Sequence, residues 1–395
     1  MTPHFNIGTH TFHQEPNMNY QLNRTCSVFG GDPDEIRSAA ARIVTLDDWK
    51  RVFLNLAATA EADARFSHAA AYCRAANFYI SPDDPDKEIT YDRYVALIRR
   101  INRAEFDTGI IKEFKVPYES AYLPVWLIEP ADNAVRRNVV VMHLGFDSIK
   151  EELIPIIDFF RDAGLELYIF EGPGQGETLV KNKISMTHEY ERPVRAVLDY
   201  FNLEDVTLVG LSLGGYLAPR AAIYERRVRR VVAWGVMYDF LATVLSRRGK
   251  PLELLLRTLL WLKASAAINA IAGARMRKDT YARWGIEHGM SVLQASSPYE
   301  YFQKLRLYSM KPISHLVEQD FLLITGTHDH FVPLSHFHEQ ARRLVNVRSF
   351  TGRIFTRHEH AENHVQFGNI PLVLRFIINW IEMHTAEMDP APHRG

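Results

Sequence analysis

Cysteine and net charge are both scarce in this sequence. Among 395 residues there are two cysteines, Cys26 and Cys73, too few for a disulfide framework and typical of a chain that folds in a reducing compartment. The 46 basic and 47 acidic side chains nearly balance, so no overall field attracts nucleic acid or an anionic membrane. We therefore expect neither nucleic acid nor a membrane as a partner. Any partner should instead be recognised through local chemistry.

Long apolar runs are also missing. The N-terminal residues contain neither a basic leader nor an apolar stretch, so no secretory signal is expected. The most apolar region, residues 252–272, contains Glu253, Arg257 and Lys263, and a charge at the centre of a bilayer costs about 3 kcal/mol on insertion scales. We interpret this region as a pair of helices that is buried or forms a lid, and we predict a cytoplasmic protein.

Hydrophobic periodicity divides the chain into three parts. From about Asp34 to Asn102, apolar and alanine positions recur every three or four residues, which predicts a helical N-terminal region over 1–112. Strands then alternate with helices, and their nearly continuous apolar sequences are typical of a parallel sheet covered on both faces. The alternation stops at Tyr238 and resumes after a helical stretch. We predict an α/β core of residues 113–239 and 308–395, interrupted after its sixth strand by a helical lid over 240–307.

The alternation also predicts the individual elements of the core. A hairpin is expected over 110–116 and 123–128. Further strands are expected at 138–143, 167–171, 206–211, 228–234, 321–326 and 347–355, with helices at 151–163, 188–201, 215–224, 335–344 and 370–383. In such sheets ligands bind at the carboxyl ends of the strands, and we expect the lid above that edge.

The strongest local signal is the segment 210–214, with the sequence Gly-Leu-Ser-Leu-Gly, between an apolar strand and a helix. Glycines are needed beside Ser212 because the strand-to-helix turn of a nucleophile elbow is sharp and strained. The pattern G-x-S-x-G is common by chance, but its place in an alternating chain favours a nucleophile elbow over a glycine-rich helix start.

A serine hydroxyl is a weak nucleophile until a base accepts its proton. The elbow therefore requires an acid and a histidine downstream, in the order serine, acid, histidine. Asp329 follows an apolar strand, at the loop position expected for the acid. His364 lies between the last strand and the last helix and is the expected base.

Alternatives exist for both partners of the serine. Asp239, just beyond the sixth strand, is a second candidate for the acid; otherwise it faces the floor of the pocket or caps the first helix of the lid. His358 and His360 compete with His364 as the base, although we expect them on the solvent side of the strand end. The three histidines also match a metal-binding spacing, but no acidic cluster completes a hydrolytic metal set, so no metal is expected.

Acyl transfer also needs hydrogen-bond donors for the developing oxyanion, worth roughly 3–4 kcal/mol for one good bond. One donor should be the backbone N–H of Leu213, the residue after the nucleophile. The second should come from loop 143–147 after the third strand, where Phe146 is favoured and Gly145 is the alternative. In this loop the usual small residue after the histidine is replaced by Leu144.

Two further segments have an ordinary structural interpretation. Segment 171–176, with the sequence Glu-Gly-Pro-Gly-Gln-Gly, is rich in glycine but lacks the Lys-Ser/Thr of a phosphate loop, so it predicts a tight turn and no bound nucleotide. A basic run is expected to form a solvated turn and not a nucleic-acid site; it comprises Arg226, Arg227, Arg229 and Arg230.

Together, the elbow at Ser212, the turn 171–176, segment 145–148 and the Ala-Glu-Asn-His segment 361–364 resemble the α/β-hydrolase superfamily. Over about residues 35–385 the chain is similar to members with a helical N-terminal region: dihydroxypseudooxynicotine hydrolases, fungal yellowish-green heptaketide hydrolases, and serine hydrolases like the fermentation/respiration switch protein. The resemblance implies an α/β-hydrolase fold, no cofactor, a homodimer, and a catalytic triad of Ser212, Asp329 and His364.

The resemblance further implies a serine hydrolase that cleaves a C–C bond next to a ketone in an aromatic or polyketide-like small molecule. A carboxylesterase or lactonase with the same triad is an alternative, and so is a non-hydrolytic binder or cyclase on the same fold. The pocket is expected to be apolar and aromatic. Candidate substrate contacts are Tyr238, Asp239, Phe78, Tyr79, Trp261, Tyr299 and Tyr301.

Overall fold

The chain divides into two compact units in a computed structural model that describes residues 5–131, 138–246 and 249–386. One, the sheet unit, contains Ile110–Thr243 and the chain from Tyr308 onward. The other, the helical unit, combines Phe5–Gly109 with Val244–Leu307. The N-terminal helices and the inserted helices, far apart in sequence, therefore pack in the same unit.

The sheet unit is built on one eight-stranded sheet. Its strands are β1 (Lys112–Tyr118), β2 (Ala121–Ile128), β3 (Val139–His143), β4 (Glu166–Phe170), β5 (Val206–Leu211), β6 (Val228–Trp234), β7 (Asp320–Gly326) and β8 (Ser349–Phe355). They lie in the order β1-β2-β4-β3-β5-β6-β7-β8. The pairs β1–β2 and β2–β4 are antiparallel, and all other neighbours are parallel. The mostly parallel sheet expected from the alternation is confirmed.

Seventeen α-helices lie in the described chain. They are α1 (Pro16–Ser27), α2 (Pro33–Ala40), α3 (Leu46–Ala62), α4 (Phe66–Tyr79), α5 (Asp86–Ile101), α6 (Arg103–Asp107), α7 (Ile157–Asp162), α8 (Gly176–Val180), α9 (Glu191–Phe201), α10 (Gly214–Tyr224), α11 (Phe240–Leu245), α12 (Lys250–Trp261), α13 (Ser265–Lys278), α14 (Thr280–Val292), α15 (Pro298–Leu305), α16 (Leu334–Arg343) and α17 (Ile370–Ala386).

Burial explains why the central strands are apolar throughout. Every residue of β3, β5 and β7 is buried, as expected where helices cover both faces of a parallel sheet. The edge strands β1 and β8 instead alternate between more and less exposed positions over most of their length. The carboxyl ends of β3 to β8 meet along one edge, where the loops that carry polar side chains begin.

The structure differs from the sequence-based expectation at one helix of the core. The segment predicted as a helix over 151–163 begins with a 3₁₀ helix, Lys150–Ile156, and becomes α-helical only in α7. Pro155 lies inside the 3₁₀ segment, and proline has no backbone N–H with which to continue an α-helical series. Helix α8 was not predicted, and the N-terminal helices α1 to α6 were predicted only as one helical region.

The basic run at the start of β6 is only partly solvated. Arg230 is 1% exposed, and its guanidinium donates to the Thr207 hydroxyl (2.9 Å) and to an Asp205 carboxylate oxygen (2.7 Å). The expectation of a solvated turn is wrong for this residue. Because side chains alternate along a strand, β6 exposes Arg229 and turns Arg230 inward, where a carboxylate compensates its charge.

The two segments of the helical unit meet through aromatic side chains. In α3, Trp49 donates its indole N–H to the Ala75 carbonyl of α4 (2.8 Å). At the end of α4, Phe78 and Tyr79 contact Trp284 of α14, with ring centroids 5.2 and 4.9 Å apart. Aromatic pairs at such separations contribute about 0.5–1.5 kcal/mol beyond the burial of their area. These contacts help to join the inserted segment to the N-terminal helices.

The apolar region 252–272 forms two helices. It is divided between α12 and α13, which matches the interpretation as a helix pair. Within residues 5–131, 138–246 and 249–386, no helix combines the length and apolarity needed to cross a membrane.

Two glycines of α14 provide a matched test of packing in the helical unit. A Cβ atom at Gly289 would lie 2.3 Å from Cε2 of the buried Tyr301, whereas a Cβ at Gly285 would meet no atom within 4 Å. We expect Gly289→Ala to lower the free energy of unfolding by about 1–3 kcal/mol through overpacking. Gly285→Ala should raise it by about 0.5–1 kcal/mol, since alanine favours a helix. Urea unfolding measures both values, and equal shifts would contradict the packing at Gly289.

Candidate active site

Ser212 lies in a strained turn between β5 and α10. Its backbone is left-handed, with φ of 56°, a conformation that costs a non-glycine residue roughly 1–2 kcal/mol. The turn is held by a hydrogen bond from the Ser212 N–H to the Trp234 carbonyl of β6 (2.9 Å). A Cβ at Gly210 would lie 2.2 Å from the Gly214 carbonyl oxygen, so the turn closes only with glycine there. This is the geometry of a nucleophile elbow.

The structure brings Ser212, His364 and Asp329 into one hydrogen-bonded series. Ser212 Oγ lies 2.8 Å from His364 Nε2, and His364 Nδ1 lies 2.6 Å from Asp329 Oδ2. The side chains of His364 and Asp329 are 5% and 2% exposed. An ionised carboxylate can only accept, so the proton of the neutral imidazole lies on Nδ1 and Nε2 is left to accept from the serine hydroxyl.

Asp329 is held as a carboxylate by its surroundings. Its Oδ1 accepts hydrogen bonds from the N–H groups of Phe331 (2.8 Å) and Val332 (2.9 Å). Burial by itself would raise the pKa of Asp329, but the charge and hydrogen bond of His364, together with the Val332 N–H, outweigh it and lower the pKa below its usual value. Asp329 is therefore ionised at neutral pH.

The loop that carries His364 is fixed by contacts that the sequence did not reveal. Val365 and Gln366 both have positive φ, 53° and 50°. The side chain of Gln366 accepts a hydrogen bond from the indole N–H of Trp234 at the end of β6 (3.0 Å). The His328 N–H donates to the Glu362 carbonyl (2.7 Å), which ties the histidine loop to the Asp329 loop.

The predicted oxyanion donors come from two loops that meet at Ser212. A Cβ at Gly145 would lie 2.8 Å from Ser212 Cβ and 3.3 Å from its Oγ, so the loop after β3 packs directly on the serine. On the C-terminal side of Ser212, the first hydrogen bonds of α10 run from the Gly215 N–H to the Ser212 carbonyl and from the Tyr216 N–H to the Leu213 carbonyl. The Leu213 N–H lies before the first of these bonds, among the N-terminal N–H groups that a helix does not use internally.

His143 lies at the end of β3, beside the elbow, but has no part in proton transfer. It is fully buried, and burial lowers its pKa to about 3, so the ring is neutral. A Cβ at Gly214 would lie 3.2 Å from Cε1 of His143, and the imidazole ring packs on the ring of Tyr190, with centroids 4.6 Å apart. The ring supports the elbow from inside the core.

The alternative acid and bases have other surroundings. Asp239 accepts a hydrogen bond from the Ala242 N–H (2.8 Å), which caps α11, and pairs with Lys311 (2.8 Å). His358 and His360 are exposed, in agreement with the expected solvent side. Among the described residues, no group of three or more His, Cys, Asp and Glu side chains is arranged to hold a metal ion.

The candidate substrate contacts are divided between the two units. Tyr238 and Asp239 belong to the sheet unit, and Phe78, Tyr79, Trp261, Tyr299 and Tyr301 belong to the helical unit. Phe78 and Tyr79 are buried together beside Trp284, a residue that the sequence analysis missed. Trp261 is 75% exposed and lies outside that buried cluster. Tyr301 is buried against α14.

A serine, a histidine and a carboxylate in hydrogen-bonded series, at the carboxyl edge of a mostly parallel sheet, are typical of hydrolases. The family model for the alpha/beta hydrolase family matches residues 139–365, more than half of the chain. The chain belongs to the alpha/beta hydrolase family and is an enzyme of the hydrolase class. The superfamily expected from the motifs, and its fold, are confirmed.

Relatives match over most of the chain. Hydrolase acrC from Aspergillus aculeatus is 30% identical over 316 residues, which cover 69% of each chain. Hydrolyase poxO from Penicillium oxalicum is 28% identical over 341 residues, 76% of this chain and 79% of the relative. The 20-hydroxy-prefusarin hydrolase FUS2 from Gibberella moniliformis is 28% identical over 354 residues, 79% of this chain and 81% of the relative.

Solved structures show the same fold. The structure of 2,6-dihydroxy-pseudo-oxynicotine hydrolase superposes with a TM-score of 0.66 at 18% identity, covering 92% of this chain and 94% of that one. The structure of AbyA5 superposes with a TM-score of 0.64 at 20% identity, covering 89% and 92%. At these identities the likeness shows the fold alone.

The hydrogen bonds of Asp329 generate a test of its role. Both carboxylate oxygens accept N–H groups, so the amide of Asp329→Asn must turn its NH₂ either toward His364 or toward the backbone donors of Phe331 and Val332. We expect the turnover of p-nitrophenyl acetate to fall about 10⁴-fold, as when a wrong histidine tautomer is imposed. Initial rates measure this loss, and thermal melting curves verify that the variant is folded.

The comparison variant is Asp239→Asn. Asparagine can still cap α11 but cannot form an ion pair with Lys311, so this replacement should cost little stability and less than about tenfold in turnover. A larger loss of turnover in Asp239→Asn than in Asp329→Asn would show that the wrong carboxylate has been assigned.

Proposed function

We propose that this enzyme is a cofactor-independent serine hydrolase that cleaves a C–C bond next to a ketone in an aromatic or polyketide-like small molecule. The observation that carries the proposal is the hydrogen-bonded series from Ser212 through His364 to Asp329, with distances of 2.8 and 2.6 Å, at a left-handed elbow. A relative supports the choice of substrate class, since FUS2 is named for 20-hydroxy-prefusarin.

In the first half of the reaction Ser212 Oγ attacks the ketone carbon while His364 Nε2 takes its proton. Asp329 keeps the other ring proton on Nδ1 and stabilises the imidazolium that forms. The oxyanion accepts hydrogen bonds from the N–H of Leu213 and from that of Phe146 or Gly145. The tetrahedral intermediate then collapses to an acyl-serine.

The collapse breaks the C–C bond, and its electron pair leaves with the departing carbon. That carbanion needs delocalisation into an aromatic ring or a second carbonyl, and the proton held by His364 goes to the carbon. Water then attacks the acyl-serine with His364 again as the base, releasing a carboxylic acid and restoring Ser212. Atoms balance as one ketone and one water giving an acid and a C–H product, with no net redox change.

Each unit contains aromatic candidates for contact with the substrate. In the helical unit they are the buried Phe78 and Tyr79, whose rings contact Trp284, and such apolar aromatic side chains are the type of lining that an aromatic or polyketide-like molecule requires. Tyr238 is the corresponding candidate in the sheet unit, at the end of β6, where its buried hydroxyl has no hydrogen-bond partner among the described residues.

Ketone cleavage and ester cleavage can be separated with matched substrates. An aryl 1,3-diketone and the aryl ester of the same acyl group present the same carbonyl with a carbon or an oxygen leaving group. We expect the diketone to be cleaved with the higher kcat/KM, and one ¹⁸O from labelled water to enter the acid product. Cleavage of the ester with an inert diketone would overturn the C–C assignment and leave a carboxylesterase.

The nucleophile is tested with Ser212→Ala. Loss of the hydroxyl should lower turnover by at least about 10⁴-fold, as in other serine hydrolases, because no acyl-enzyme can form. A fluorophosphonate should label the wild type and not the variant, as read by intact mass. Ser335→Ala, at an exposed serine of α16, should stay labelled and active. An unlabelled wild type, or an active Ser212→Ala, would refute the mechanism.

A further inference from the structure

Gln175, in the turn after β4, is buried, and its side-chain amide makes all the hydrogen bonds that it can form. Its Nε2 donates to the carbonyls of Leu144 (2.6 Å) and Gly145 (3.0 Å). Its Oε1 accepts from the Gly172 N–H (2.9 Å) and the Tyr190 hydroxyl (3.1 Å). These four bonds use both donors and both lone pairs. A flipped amide would place its oxygen against two carbonyls, so the orientation is fixed.

The two carbonyls that Gln175 holds belong to the peptide groups that carry the candidate oxyanion donors. The Leu144 carbonyl shares a planar group with the N–H of Gly145, and the Gly145 carbonyl shares one with the N–H of Phe146. In a trans peptide the C=O and N–H bonds point in opposite directions. Holding both carbonyls from one side therefore sets the directions of both N–H groups on the other side.

This loop has little freedom relative to Ser212. A Cβ at Gly145 would lie 2.8 Å from Ser212 Cβ, so the loop packs directly against the serine. Rotation of either peptide group would therefore move its N–H relative to Ser212. Oxyanion donors act at about 2.7–3.1 Å from the charge they stabilise, which makes their direction decisive.

The turn that carries Gln175 is itself rigid. A Cβ at Gly172 would lie 2.2 Å from the Tyr190 hydroxyl, and Gly174 has φ of 80°. The Gly174 N–H also donates to the Ile184 carbonyl (2.9 Å). The Tyr190 ring in turn packs on His143, with centroids 4.6 Å apart. The Gly172 N–H, the Tyr190 hydroxyl and the bond from Gly174 to Ile184 thus anchor the amide of Gln175 from outside the loop it holds.

We infer that Gln175 is a positioning residue that aligns the oxyanion donors of loop 143–147 with Ser212. This inference rests on the proposed function, since it needs an oxyanion to form on a carbonyl attacked by Ser212. Among the described residues, the hydrogen bonds of the Gln175 side chain go to Leu144, Gly145, Gly172 and Tyr190, so it acts on the series through the two peptide groups. Its effect should appear in the transition state and be absent from the ground state.

The test uses Gln175→Met, which keeps the length of the side chain and removes its donors. With p-nitrophenyl acetate as substrate, kcat should fall about 10- to 100-fold, less than the full loss of a donor, while KM stays within about twofold. Gln340→Met is the matched control, since Gln340 is buried in α16 and its amide has no partner among the described residues. That variant should keep the kcat of the wild type.

A second readout separates alignment from general damage. A phenyl trifluoromethyl ketone forms a hemiketal whose oxyanion mimics the transition state, whereas acetophenone binds mainly as a ground-state ketone. In Gln175→Met, the inhibition constant of the trifluoromethyl ketone should rise by the same factor by which kcat/KM falls. The inhibition constant of acetophenone should stay within about twofold. A merely structural glutamine would change stability and leave the ratio of the two constants as in the wild type.

The outcomes are distinguishable. A Gln175→Met enzyme with unchanged kcat and unchanged trifluoromethyl ketone inhibition, or with an effect on KM alone, overturns the inference. If Gln175→Met does not fold, Tyr190→Phe is the deciding variant, since it removes only one donor to Gln175 Oε1. A fall in kcat of about two- to tenfold, with a matching rise in the inhibition constant of the trifluoromethyl ketone, supports the inference. No change in either quantity overturns it. A wild type that neither a fluorophosphonate nor the trifluoromethyl ketone inhibits refutes the proposed function itself.

Discussion

The left-handed turn at Ser212 is the constraint around which the site is arranged. For the serine to stand at the end of β5 with φ of 56°, neighbouring backbone must approach it closely. A Cβ at Gly235 would lie 2.9 Å from Ser212 Cα, and one at Gly215 would lie 1.8 Å from the Gly235 carbonyl oxygen. Gly145 closes the same space from the loop after β3. The glycines around the elbow therefore belong to three segments of the chain, and only some of them fall within the G-x-S-x-G pattern.

Burial makes the charges of the site depend on one another. Asp329 stays ionised in a buried position because His364 and two backbone N–H groups compensate the loss of water. His143, equally buried but without such a partner, is neutral. Two histidines near one serine therefore differ in chemistry through their neighbours alone, and only the one paired with a carboxylate is placed to exchange a proton with Ser212.

Much of this was predictable because it depends on local pattern. Strands β5 and β6 occupy the predicted residues, and the order of Ser212, Asp329 and His364 followed from the requirement for a base and an acid after the elbow. The contacts of Gln175 were not predictable, since the segment 171–176 gave only a turn. Arg230 was misjudged for a related reason, because its environment depends on Asp205 in a neighbouring segment.

Sequence by itself determined the alternation of strands and helices, the sharp turn at the serine and the class of chemistry, since each depends on residues a few positions apart. Tertiary structure alone decided that Asp329 and not Asp239 pairs with the histidine, that two distant helical segments form one unit, and that a glutamine holds the loop beside the serine. The physical reason is distance along the chain: Gln175 and Leu144 are 31 residues apart, and Arg230 and Asp205 are 25 apart. Packing and hydrogen bonding between such segments select partners that no local periodicity encodes.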